Sequence, residues 1–493
     1  MGIKTAHCLL LIILLCSCSS LGIESGLYSD LKSFEATTTS GELVTGSTWK
    51  DYIGESSVGE FVAFRTPSRG PYQGLVLIAT SLDEITKAIS VGGRPMNPDD
   101  KNVLEALETY TPLVEIVDSD PSLVYSDIFT NVSEKTGIEV GSQELKVSTY
   151  NLGNFLPLFA EGLLPSGYLS VIESHLLIVG GRGPVLLINN EDEELVEVQS
   201  NLKEILISQN YISTSGGSDI SGRMGIRDTF YDLEEKVLYI SMITKNTNDC
   251  FGIGILKADA SEILNKQTLI FDPYFKTVTC ASNTNFMQSG GKIQKYFQGL
   301  LFTVGDFDQK DREYLLDLEN DFGKILYIEN GIKISNFSSG HRNPQGLLVE
   351  DGFVIGTEHG PKGGDEINII YEDLFYGWPI YSYGIEYSGE DVYIKPHGEE
   401  AKEPLHYFTP SIAIAEIRKY TGQEILSWNG KYLVASLKDE SLYLFNIQEE
   451  EEKVLSLTRI PIGRRVRDMA IDGTGVVWLV TDDAMLVRMS SEK

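Results

Sequence analysis

A chain of 493 residues is long enough for more than one domain, and 47 glycines among many short β-branched runs favour an all-β body. The net charge of −31 argues against nucleic acid as a partner, because that needs a basic surface; it describes a solvated, self-repelling exterior.

Residues 1–17 carry Lys4, the apolar run Cys8–Leu15 and small residues before Cys18. That pattern predicts a secretory signal peptide, too short to span a membrane. Leu15-Cys16-Ser17-Cys18 resembles a bacterial lipobox, which implies cleavage before Cys18, lipidation of that thiol and a membrane tether outside the cytoplasm. An ordinary signal peptide cut a few residues later is the alternative. Residues 18–53 are rich in Ser, Thr and Gly and read as a linker.

Residues 54–150 form an N-terminal region to which no chemistry can be assigned. FVAFR and GLVLIAT read as strands, Leu82–Ile89 and Pro98–Tyr110 as helices behind the N-caps Ser81 and Asn97. The region is expected to be a mixed α/β extension or small domain. Of the five cysteines, Cys250 and Cys280 remain as an even pair once the N-terminal ones are discounted. A disulfide is expected in an oxidising compartment, with two buried thiols as the alternative.

Between residues 160 and 493 short strands alternate with turns, and a pattern recurs. Arg227-Asp228 precedes KVLYISM, Arg342-Asn343 precedes GFVIGTE, and Arg467-Asp468 precedes VVWLVTD. HLLIVGGRGPVLLI likewise parallels YLVASLKDESLYLF, which carries Lys438 in its turn. Strand-rich repeats of about fifty residues predict a β-propeller. Six blades are expected near 167–200, 222–271, 286–330, 341–385, 411–450 and 459–493, with 386–410 inserted on the fourth. Equivalent positions in successive blades meet at one end of the channel, so Arg227, Arg342 and Arg467 should converge there with Lys438 and Arg465. Such a cluster wants a polyanion; Asp228 and Asp468 could instead neutralise part of it.

The strings GHRNPQGL from Gly340, TEHGPKGGDEIN from Thr357 and YGWP from Tyr376 occur in this order within forty residues. Together they resemble the soluble glucose/sorbosone (aldose) dehydrogenases that use pyrroloquinoline quinone (PQQ). The resemblance implies a six-bladed propeller with PQQ and a calcium ion on its axis. It implies that Arg342, Asn343 and Gln345 contact the quinone, that Lys438, Arg465 and Arg467 join them, and that the carbonyls of Gly360 and Pro361 bind calcium. GGKI from Gly290 and VGD from Val304 match further family strings.

One departure touches catalysis. By the same resemblance a histidine base follows an early GxxG-I turn, where this chain has Thr229 after Gly222–Ile226. Thr229 cannot take a proton from a sugar hydroxyl, which leaves Asp228 as the nearest candidate base. Two readings follow. One is an extracytoplasmic PQQ-dependent oxidoreductase that passes hydride from a sugar or related alcohol to the quinone, whose electrons then go to an unidentified acceptor. The other is a non-catalytic propeller that binds an anionic ligand or partner.

Overall fold

The computed structural model describes strands within residues 32–96, then residues 133–140, 143–152 and 167–491 apart from 182, 191–194, 209–224, 248–249, 282–285, 310, 388–399 and 449–450. The signal segment, Cys18 and the helix expected over Pro98–Tyr110 lie outside the described residues. The chain divides into two units, one built mainly on residues 1–127 and one on 128–159, 163–211 and 221–493.

The first unit holds a six-stranded antiparallel meander: β1 (Lys32–Thr37), β2 (Leu43–Thr48), β3 (Val62–Arg65), β4 (Leu75–Ser81), β5 (Glu84–Ser90) and β6 (Pro95–Met96). Two expectations are corrected here. Residues 18–53 are not wholly a linker, since β1 and β2 pair along their full lengths. Where a helix is expected over Leu82–Ile89, residues 84–90 form β5, antiparallel to β4. The β-branched Ile85, Thr86 and Ile89 fit a pleated strand better than a helix, where their χ1 freedom is lost.

The second unit is a six-bladed β-propeller. Two strands precede its first blade: β7 (Ser133–Val140) and β8 (Gln143–Asn151). Blade one is β9 (Gly167–Ile172), β10 (His175–Gly180), β11 (Val185–Asn189) and β12 (Leu195–Ser200), with β16 (Thr268–Leu269) added in parallel. Blade two is β13 (Ile226–Asp232), β14 (Val237–Thr247), β15 (Cys250–Asp259) and β17 (Asp272–Lys276). Blade three is β18 (Gly290–Tyr296), β19 (Gly299–Val304), β20 (Lys324–Glu329) and β21 (Ile332–Ser339). Blade four is β22 (Pro344–Glu350), β23 (Phe353–Glu358), β24 (Asp365–Ile369) and β25 (His406–Phe408). Blade five is β26 (Ile414–Lys419), β27 (Tyr432–Ser436), β28 (Ser441–Gln448) and β29 (Lys453–Pro461). Blade six is β30 (Val466–Ile471), β31 (Val477–Thr481) and β32 (Met485–Ser491), completed by β8 and β7.

The inner strands β9, β13, β18, β22, β26 and β30 touch in that cyclic order, and β30 returns to β9. The ring is closed by β8, which pairs with β32 from Met485↔Asn151 to Ser491↔Leu145. The propeller therefore begins before residue 150, earlier than the sequence suggested. Without β8 the last blade would end on an open edge. The outermost strands β17, β21 and β29 run past the expected blade ends, and β25 lies inside the expected insertion.

Apolar residues fill the spaces between blades. Leu433, Leu442, Leu444, Val477 and Leu479 pack blade five on blade six, joined by Leu145 and Val147 of β8. Ile355, Ile367, Ile414, Val434 and Phe445 pack blade four on blade five. The middle strands β27 and β31 are buried at every position, since each is covered on both faces.

A further regularity positions the site. β13, β18, β22, β26 and β30 each open with a register shift against the neighbouring strand, at Ile226/Asp228, Gly290/Ile293, Pro344/Gly346, Ile414/Ile417 and Val466/Asp468. A β-bulge re-aims the side chains beside it. Arg227 and Arg467 are the residues passed over in their ladders, so each is turned out of the regular pleat.

Candidate cofactor site at the propeller axis

In each antiparallel blade, the start of the inner strand and the turn between its second and third strands lie at the same end. The predicted cationic residues all fall there. Arg227 is buried, and the acceptors of its guanidinium include Ser289 Oγ at 2.9 Å, Ile226 O at 3.1 Å and Phe286 O at 3.2 Å. Gly291 faces it so closely that a Cβ there would come within 2.4 Å of Arg227 Cβ, and its φ of +119° also demands glycine.

Arg467 is buried and paired at two points with Asp482, on the turn after β31. Arg465, more exposed, reaches the same carboxylate through Nε at 3.0 Å. Asp482 was not anticipated from the sequence as their partner. Arg342 donates Nη1 to Gly360 O at 2.8 Å and lies over the Trp378 ring, 5.4 Å from its centroid. Its Nε is buried without a hydrogen-bond partner. Asn343 Oδ1 accepts from Gln345 Nε2 at 3.0 Å and from Gly290 N at 3.3 Å, which ties the RNPQG loop to blade three. Lys438 is exposed on the corresponding turn of blade five.

The loop after β23 forms one wall of a small cleft lined by Arg342, Glu358, His359, Gly360, Pro361 and Glu366, among others. The Gly360 carbonyl expected for calcium faces this region but is taken by Arg342. Asp365 is fully buried and accepts from Ser411 Oγ at 2.8 Å and from the N–H groups of Gly360 and Ile414, so it braces the loop from within. Glu366 and Glu358 are both held by the Asn368 amide, at 3.1 Å each. Burial first, and then the Glu358 charge, raises the Glu366 pKa well above the usual carboxylate range. These two carboxylates with the Gly360 and Pro361 carbonyls make an oxygen-rich wall of the kind hard cations select.

Histidines at the cleft have different fates. His341 is fixed between Ser338 and Glu358 and stacked on Tyr376, 4.9 Å away. His359 keeps a buried Nε2 without a partner, and enclosure, assisted by Arg342 and Arg467, lowers its pKa despite Asp365.

Asp228 and Asp468 do not neutralise the arginines that precede them. Both face Lys292 instead, at 2.8 Å and 3.2 Å, and Glu416 completes the shell about the ammonium. The Lys292 Nζ lies 5.1 Å from the Tyr168 ring centroid, and Glu416 also pairs with Arg418. Asp228, Glu416 and Asp468 offer oxygens within 4.8 Å of one another, with the lysine ammonium in the cation position. Desolvation raises the Glu416 pKa to about 8, while Lys292 and Arg418 hold Asp468 below its ordinary value against burial.

This arrangement changes the outlook for the two residues expected at the catalytic position. The Asp228 oxygens are committed to Lys292 Nζ and to the Ile293 N–H, both at 2.8 Å. Thr229 is buried between inner strands, where its carbonyl accepts from Ser170 Oγ at 3.1 Å. Two residues near these loops were given no role by the sequence, although Asp306 stands in a matched string. Asp306 is buried, its N–H bonds the Arg342 carbonyl at 2.8 Å, and desolvation raises its pKa to about 7 against the pull of Arg342. Gln288, whose carbonyl accepts from Phe307 N, has a buried Oε1 with no hydrogen-bond partner. Their signal was present in the strings they adjoin: Gln288 stands two residues before Gly290-Gly291, and Asp306 ends Val304-Gly305-Asp306.

The sequence profile of the Glucose / Sorbosone dehydrogenase family matches residues 173–488. Among characterised relatives, the aldose sugar dehydrogenase YliI of Escherichia coli (strain K12) is 27% identical over 253 residues, 47% of this chain and 66% of that protein, just under two thirds of its length. The apo-form soluble aldose sugar dehydrogenase of Escherichia coli superposes with a TM-score of 0.54 at 20% identity, covering 70% of this chain and all of that one. The PQQ-bound aldose sugar dehydrogenase of Streptomyces coelicolor gives 0.51 at 17% identity, covering 70% and 98%. These likenesses carry the propeller architecture, and the profile match, which spans more than half of the sequence, makes this chain a member of the glucose/sorbosone dehydrogenase family.

Proposed function

We propose that this chain is a PQQ-dependent oxidoreductase of the aldose sugar dehydrogenase type. The observation that carries the reading is Arg342: a buried guanidinium at the channel mouth with its Nε unpartnered, at the same end as Arg227, Arg465, Arg467 and Lys438. A buried donor left unsatisfied costs roughly 1–3 kcal/mol, which an anionic ligand would recover. His359 Nε2, in the same cleft as Arg342, is a further buried polar atom without a hydrogen-bond partner. The donor set therefore fits a planar tricarboxylate such as PQQ.

When bound, PQQ supplies a hydride acceptor and calcium a Lewis acid. The protein's part is to bind and orient. The arginines and Lys438 would hold the quinone's carboxylates, with Asn343 and Gln345 beside them. The Gly360 and Pro361 carbonyls, with Glu358 and Glu366, would hold the cation, and Arg342, which donates to the Gly360 carbonyl, would lie beside it. A base must take the sugar hydroxyl proton. Asp306 suits this better than Asp228, because a carboxylate titrating near 7 is poised to accept a proton at neutral pH. The Cys250–Cys280 bond supports an oxidising, extracytoplasmic setting, and lipidation at Cys18 would tether the protein there.

The burial of Thr229 and the commitment of Asp228 favour a second reading, a propeller that binds the quinone without turnover. Reconstitution with PQQ and calcium tests both. Spectral binding with dye reduction on a panel of sugars supports the enzyme. Binding without reduction supports the second reading, and no binding rejects the cofactor.

A further inference from the structure

Cys250 and Cys280 are bonded, with their Cα atoms 5.3 Å apart. Contacts beside this bond reach the residues that hold Arg227. Next to the cystine, Phe251 and Ala281 exchange both backbone hydrogen bonds, at 2.9 Å and 2.8 Å. The Phe251 ring meets Phe286 edge-on, 5.1 Å between centroids at 75°. The Phe286 carbonyl in turn accepts from Arg227 Nη2, and Ser289 Oγ accepts from Arg227 Nε. Gln288, with its unpartnered oxygen, lies between those two acceptors. The path from the cystine to the guanidinium thus runs through one hydrogen-bonded pair and one ring contact.

A cystine anywhere in the blade would restrict the unfolded chain. Its placement here does something more specific. A hydrogen bond weakens steeply when its acceptor leaves the donor's direction, so a small shift of the 286–289 backbone would release two of the bonds that aim Arg227. We propose that the Cys250–Cys280 bond is a positioning element for Arg227, fixing the stretch 286–289 so that the guanidinium points to the anion site. The identity of the anion rests on the functional reading above; the positioning of Arg227 does not.

Two measurements on the full chain test this. The first is PQQ affinity, from absorbance titration with calcium present, for wild type, Cys250→Ser/Cys280→Ser, Arg227→Ala and the triple variant. Circular dichroism confirms the fold at the working temperature. Loss of the cystine should weaken binding about tenfold or more, the scale of one charge-assisted contact, and should have no further effect once Arg227 is alanine. An unchanged affinity, or the same fold-loss in both backgrounds, overturns the proposal, because the cystine would then act through general stability or not at all. The second measurement needs no quinone. With ¹⁵N-arginine labelling, the Arg227 Nε–H signal, identified by its loss in Arg227→Ala, should exchange with solvent faster without the cystine. Unchanged exchange overturns the positioning even where PQQ binds. Faster exchange supports it even if PQQ fails to bind, an outcome that would reject the cofactor alone.

Discussion

Arg467 and Asp482 form a two-point ion pair, with Nε 2.8 Å from Oδ1 and Nη2 2.9 Å from Oδ2. Both side chains are buried, and Arg465 shares the same carboxylate. Removing the carboxylate takes a shared counter-charge from two guanidinium groups, one of them buried. Asp482→Ala should therefore destabilise the propeller by about 3–5 kcal/mol. Replacing both, in Arg467→Met/Asp482→Leu, should cost less than the sum of the single changes. Urea midpoints for the four proteins check the non-additivity.

The pH dependence of stability has a defined sign. Asp306 and Glu416 have folded pKa values raised to about 7 and about 8, mainly by burial. Each binds its proton more tightly folded than unfolded, so its contribution is fully present below the unfolded carboxyl range. It is lost as pH rises through the folded value. Unfolding free energy should thus fall between about pH 4 and 8, by up to roughly 1.4 kcal/mol per pH unit for each group within its window. Asp306→Asn and Glu416→Gln should each flatten that slope. A stability that rises over the same range would contradict the assignment.

Arg342→Ala should weaken PQQ binding by about 1.5–3 kcal/mol, the value of a charge-assisted contact. Arg342→Lys should recover only part of the loss, because an ammonium cannot reproduce the planar fork. Titration with calcium present reads both.

Thr229→His should not create a dehydrogenase. Thr229 is enclosed between β9 and β13 beside Ser170, so the larger ring should overpack the core and cost about 1–3 kcal/mol. Dye reduction with reconstituted protein, together with its melting temperature, checks the expectation.

Calcium should raise the melting temperature and a chelator should reverse the gain. Saturation at about a hundredfold over Kd corresponds to roughly 2.7 kcal/mol. Glu366→Gln should abolish most of the calcium response, since that carboxylate and Glu358 line the cleft beside Gly360 and Pro361.

The primary structure alone determined the local devices. Apolar runs such as VVWLVTD specify buried strands because both faces of a middle blade strand must be covered. The recurrence of Arg before Asp or Asn announced a common end of a ring, and the parity of Cys250 and Cys280 announced their bond. Tertiary structure decided what no local pattern carries. The exposed outer strands lack an apolar stripe, as the mostly solvated β29 illustrates, so the blade limits escaped the sequence. The partner of β32 lies more than three hundred residues away in β8, and only closure of the ring selects it. The same holds at the axis. A bulge at the start of β13 and of β30 separates each arginine from the aspartate beside it. Lys292 from blade three and Glu416 from blade five then claim the aspartates' surroundings, while Asp482 takes Arg467. Charges buried in low dielectric must find partners across the fold, and that choice belongs to the assembled ring rather than to neighbours in sequence.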